Sequence, residues 1–101
     1  MKILKLVTVF IVILASHDLM ALGNAVAGKT KAIHCIGCHG IKGISSSPLM
    51  PNLAGQKYEY LVKQLQDFKT GVRSDPIMRG QAMVLENQDI EDLASFFAKF
   101  L

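Results

Sequence analysis

The sequence predicts an all-α domain. Apolar residues recur at three- and four-residue spacing in three separate stretches, within residues 25–36, 56–70 and 87–101. No convincing run of alternating or β-branched residues accompanies the two cysteines. The intervening segments are rich in Gly, Pro, Ser and Asn, residues that interrupt regular structure. At 101 residues the chain holds one domain at most.

Residues 1–23 are expected to lie outside that domain. Lys2 and Lys5 make a charged start, Leu6 to Ala15 is a short apolar run, and Ala21-Leu22-Gly23 places small residues where a signal peptidase reads them. An apolar run of this length falls short of the ~20 residues that span a bilayer, and His17 and Asp18 interrupt any continuation of it. The expectation is a cleaved signal peptide at 1–23, a soluble domain at 24–101 and a periplasmic location. Ala25-Val26-Ala27 offers a second cleavage pattern.

The first helix is expected over Ala25 to Ile36, with Ala25, Ala32 and Ile33 inward and Lys29 and Lys31 outward. It runs into Cys35-Ile36-Gly37-Cys38-His39, whose spacing is that of c-type haem attachment. One turn of helix brings both thiols to the same porphyrin edge, where they add across its vinyl groups, and His39 follows at once to reach the iron. A structural zinc site needs four ligands and would have to recruit His34 or His17. A redox-active dithiol of the thioredoxin kind needs a βαβ setting, and a disulfide across two residues closes too short a loop to stabilise much. His34, beside the covalent link, is expected at the surface.

Gly40 to Gly55 reads as a long loop, and loops of that length inside a compact domain tend to be functional. Here it is expected to cover one side of the haem and, through the Pro51-Asn52-Leu53 turn, to supply the carbonyl that orients the histidine ring. Tyr58, Leu61, Val62, Leu65 and Phe68 form the stripe of a helix over Gln56 to Thr70, which Gly71 ends. Val72 to Leu85, with Pro76 and Gly80, is expected to be irregular. The last helix, Asn87 to Leu101, carries Ile90, Leu93, Ala94, Phe97 and Leu101 inward, with acidic residues in its first turn where the helix dipole favours them.

A haem held by His39 leaves one axial position, and a thioether there closes the iron to exchange and raises its potential. Met50 sits on the histidine side. Met78 lies between two helices that could flank the haem and is the favoured sixth ligand, with Met83 on the same stretch as the alternative.

These pieces together resemble the class I cytochromes c, above all the small bacterial periplasmic monohaem members and the c-553 and c4 groups. The resemblance is carried by Cys35-Ile36-Gly37-Cys38-His39-Gly40, Pro51-Asn52-Leu53-Ala54-Gly55-Gln56, the Tyr60-to-Leu65 helix with Phe68 and Gly71, Asp75-Pro76-Ile77-Met78, and the closing helix from Asp89. It implies three to four short helices wrapped around one covalent haem c, with first and last helices crossing near the haem edge. It further implies Cys35 and Cys38 as thioethers, His39 and Met78 as axial iron ligands, and the Pro51 carbonyl as acceptor of the His39 N–H. Glu86 stands where relatives often place Ser or Thr before the last helix, so Asn87 is the expected cap.

The function expected is a one-electron carrier between redox proteins, a membrane complex or a periplasmic oxidoreductase, and not an enzyme. Lys31, Lys42 and Lys57 are candidates for the rim of its docking face. The alternatives are a haem subunit of a larger dehydrogenase or oxidase, and an open-site haem sensor or enzyme. Eleven Lys and Arg against eight acidic residues give a net charge of +3, without the basic runs interleaved with aromatics that nucleic acid binding uses. No small-molecule substrate is expected.

Overall fold

The computed structural model describes residues 3, 5, 7–11 and 23–100. Among them all regular structure is helical: α1 (Ala25–Lys31), a 3₁₀ turn (Ala32–His34), α2 (Ile36–His39), α3 (Tyr58–Thr70), α4 (Pro76–Ala82) and α5 (Asn87–Ala98). Residues 3, 5 and 7–11 of the expected leader are exposed and without regular structure, and most of the rest of that segment lies outside the described residues.

The frame is a crossing of the first and last helices, α1 on α5, onto which α3 packs, with α4 on α3. The crossing is close because Gly28 faces the α5 backbone: a Cβ there would stand 2.0 Å from the Asp92 carbonyl oxygen. Asn24 caps α1, its side-chain oxygen accepting the N–H groups of Val26 and Ala27 at 2.9 and 3.1 Å. The Asn24 amide itself donates to Asp92 Oδ1 at 2.8 Å. Gly23, expected as the last residue of the leader, also packs against α5.

The core gathers Ala32, Leu61, Leu93, Ala94, Phe96 and Phe97, and the Phe96 ring meets Phe97 and Phe100 edge-on at 5.0 and 5.1 Å. The α3 stripe follows the predicted spacing, with Leu61 and Phe68 buried. Gly71, at φ 82°, ends α3 in the left-handed conformation that favours glycine.

Five expectations are corrected. The first helix does not run to Ile36: it tightens into the 3₁₀ turn after Lys31, and Ile33 swings out to 66% exposure while Ala32 is wholly buried. Val72 to Leu85 is not irregular throughout, because Asp75 accepts the Met78 N–H at 2.9 Å and Pro76 occupies the first turn of α4. Glu86, not Asn87, is the cap of α5, its N–H held by Asp89 at 2.8 Å. That helix stops at Ala98, and Leu101 lies outside the described residues. Lys31, placed outward on a docking rim, is drawn into an ion pair with Asp89 and Asp92 at 2.8 and 2.7 Å.

Candidate haem-attachment site

Cys35 sits at the N-terminus of α2, and its carbonyl receives the amides of Cys38 at 3.2 Å and His39 at 2.9 Å. The two cysteines are thereby one turn apart, with His39 on the following step. Both thiols are free; Cys35 is half-buried against the core and Cys38 is exposed. Burial, and then the neighbouring Cys38, push the Cys35 thiol above its ordinary range.

The His39 ring is buried, at 6% exposure, and its Nδ1 lies 2.8 Å from the Pro51 carbonyl oxygen. A carbonyl only accepts, so Nδ1 carries the proton and Nε2 keeps its lone pair. Among the described residues no buried side-chain nitrogen or oxygen lacks a partner. In a ring anchored this way Nε2 is the nitrogen left to bind a metal. An imidazole anchored through one nitrogen and open at the other is the geometry of an axial ligand.

The loop from Gly40 makes this anchor rigid. Gly40 and Gly43 take φ values of 87° and 76°, and the Gly43 carbonyl receives the amides of Leu53 and Ala54 at 2.7 and 3.0 Å. Asn52 accepts the Ser45 N–H at 2.7 Å, and the Gly55 amide bonds the Phe97 carbonyl at 3.1 Å. The Pro51 carbonyl is thus tied on both sides, to the loop's own start and to α5. Sequence reasoning found Pro51 but not Ser45 or Gly43; the cluster of Gly, Ser and Asn signalled turns without saying which bonded to which.

Met78 is half-buried in α4, Met50 half-buried in the loop, and Met83 57% exposed. The helix bearing Met78 packs chiefly on α3 and the helix bearing His39 chiefly on the 3₁₀ turn, so the two helices are held by different parts of the frame. His34 is exposed, as expected. Among the described residues no three His, Cys, Asp or Glu side chains converge on a point where a metal ion could be held; His17, the other histidine a zinc site would recruit, lies outside the described residues.

A sequence model of cytochrome c matches residues 20–99. The chain belongs to the cytochrome c family. Cytochrome c4 of Pseudomonas aeruginosa is 46% identical over 78 residues, 77% of this chain and 39% of that protein. Cytochrome c-554(548) of Halomonas halodenitrificans is 34% identical over 79 residues, covering 75% of this chain and 95% of that one. The crystal structure of reduced recombinant cytochrome c4 from Pseudomonas stutzeri superposes with a TM-score of 0.74 at 41% identity, over 78% of this chain and 46% of its own. The chain thus spans about two fifths of the cytochrome c4 relatives it matches. Family membership makes haem c, with its iron, the cofactor, and the all-α fold is that of the family. The residues present fit that group: two free thiols one turn apart, an imidazole whose Nδ1 is engaged by the Pro51 carbonyl, and one thioether, Met78, on a separate helix. No helix among the described residues is long and apolar enough to cross a membrane.

Proposed function

We propose that the chain is a periplasmic one-electron carrier whose haem is bonded to Cys35 and Cys38 and ligated by His39 and Met78. The observation that supports it most directly is the His39 ring, buried and donating Nδ1–H to the Pro51 carbonyl at 2.8 Å. The bound haem supplies an iron that gains and loses one electron. The polypeptide keeps the surroundings of that event unchanged. Cys35 and Cys38 fix the macrocycle to α2, Pro51 holds the imidazole plane and raises its basicity, and Met78 presents sulfur, a soft donor that favours the reduced state. With His39 and Met78 both holding the iron, the chain would leave no place on it for a substrate. In this reading the chain passes electrons on and transforms no substrate of its own.

Donor and acceptor are redox proteins met in turn at the haem edge, through the small contacts usual for such encounters. Lys42 and Lys57, both exposed, remain as rim candidates. A second reading, a haem module working as part of a larger dehydrogenase or oxidase, draws support from the recurrence of this domain inside longer chains. Sizing of the purified protein separates the two: a monomer fits the carrier, a stable second polypeptide the module.

The test of the site is spectroscopic. The exported protein is expected to be coloured, with haem retained after denaturation, a methionine-to-iron band in the oxidised form and no carbon monoxide binding when reduced at neutral pH. Met78→Ala is expected to abolish the band and admit carbon monoxide. Retention of the band in that variant, with its loss in Met83→Ala, would move the ligand to Met83.

A further inference from the structure

The backbone at Gly23 lies directly on α5: a Cβ there would stand 1.8 Å from the Glu91 carbonyl oxygen and 2.6 Å from Ser95 Oγ. Gly28 touches the same helix one step along, at the Asp92 carbonyl. Between them the Asn24 amide bonds the buried Asp92 side chain and the Asn24 side chain caps α1. Gly23, Asn24 and Gly28 thus form one seam along α5, with a glycine at each end because only a residue without a side chain allows so close an approach.

A peptidase cutting after Gly23 would strip one end of that seam. A cut after Ala27, the other small-x-small pattern, would remove the Asn24 cap and sever α1 within its first turn. The match to the cytochrome c family begins at residue 20, also ahead of Gly23.

We infer that the export peptidase cuts N-terminal to Gly23 and that Gly23 is retained in the mature protein as a packing residue against α5. The nearest small residue upstream is Ala21. This inference rests on the export reading given above, and its test separates the two.

The decisive variant is Gly23→Ala, expressed as the full chain with export and haem attachment. Alanine is as acceptable as glycine to a peptidase that reads small residues, so processing is left intact while a methyl group is pressed against the Glu91 carbonyl. If Gly23 belonged to the leader, wild type and variant would yield the same mature protein. The expected result is a wild-type N-terminus at or before Gly23 but after the leader's apolar run. The variant is expected to be heavier by one methylene, with Tm lower by about 5 °C or more. A mature chain starting at Asn24 or later, or a variant of unchanged mass, overturns the inference, as does a variant that keeps the substituted residue without loss of Tm. Should the variant fail to accumulate, the wild-type N-terminus alone decides. A coloured protein still starting at Met1 overturns both the inference and cleavage, while the haem site stands on its spectrum.

Discussion

At the residue scale, the group most constrained outside the haem site is Asp92. It is 2% exposed, yet its carboxylate receives the Asn24 amide at 2.8 Å, Lys31 Nζ at 2.7 Å and Gln88 Nε2 at 2.9 Å. Burial pushes this carboxyl up, but the Asn24 amide, Lys31 and Gln88 together hold it below the ordinary carboxylate range. Asp89 is lowered too, first by Lys31 and then by the Glu86 amide. A carboxyl whose folded-state pKa is depressed contributes stability above its unfolded value of about 3.9 and loses it as pH falls through the folded value. Lys31, raised first by Asp89 and then by Asp92, contributes below its unfolded value of about 10.4 and loses that contribution as pH rises through its folded value. Acid unfolding should therefore steepen below about pH 4. Asp92→Asn should flatten that limb and cost about 1–3 kcal/mol at neutral pH, where charge-assisted bonds are lost. Thermal melts of both proteins across pH check this.

At the scale of elements, one local device sets the start of the helix that bears Met78 and another sets how closely α1 and α5 cross. The Asp75 cap holds the start of α4, the seven-residue helix that bears Met78. Asp75→Ala should cost about 1 kcal/mol and, more tellingly, should weaken the methionine-to-iron band and let carbon monoxide bind part of the reduced protein. A structural role remote from Met78 would lower Tm without either spectral change. The α1–α5 crossing depends on Gly28, whose added Cβ would lie 2.0 Å from the Asp92 carbonyl and 2.8 Å from Phe96 Cβ. Gly28→Val should cost at least about 1–3 kcal/mol by forcing the helices apart, seen as a lowered denaturation midpoint in the holoprotein.

On the scale of the whole molecule, the polypeptide by itself has a thin core. Among the described residues nine apolar side chains are buried, and the largest that are fully enclosed are Ile90 and Leu93. A domain this small buries a modest share of its surface and needs an additional staple. Ile41, Ile44 and Leu49 on the loop after α2, Ile77 on α4 and Val84 just beyond it are all exposed. The Cys35→Ala/Cys38→Ala chain, which cannot hold haem covalently, is expected to lose cooperative thermal unfolding by circular dichroism. A sharp two-state melt matching the holoprotein would show that the helices need no haem to close.

The sequence determined the chemistry because that chemistry is local. Cys35, Cys38 and His39 lie within five consecutive residues, so spacing alone pointed to haem attachment, and the Pro51 turn pointed to the carbonyl that lies 2.8 Å from His39 Nδ1. The helical periods of α3 and α5 were equally legible, since one face of each meets the core. Asp75-Pro76 was a readable helix start for α4, an N-cap residue followed by Pro in the first turn, but the Gly80 that follows weakened the signal. Only the tertiary structure decided what depended on close approach between distant segments. No spacing rule shows that Lys31 turns toward Asp89 and Asp92, that Ile33 is thrown outward by a tightened turn, or that Gly28 and Gly23 press on α5. Those facts follow from how two helix backbones cross, and a crossing is set by atoms some sixty to seventy residues apart in the chain.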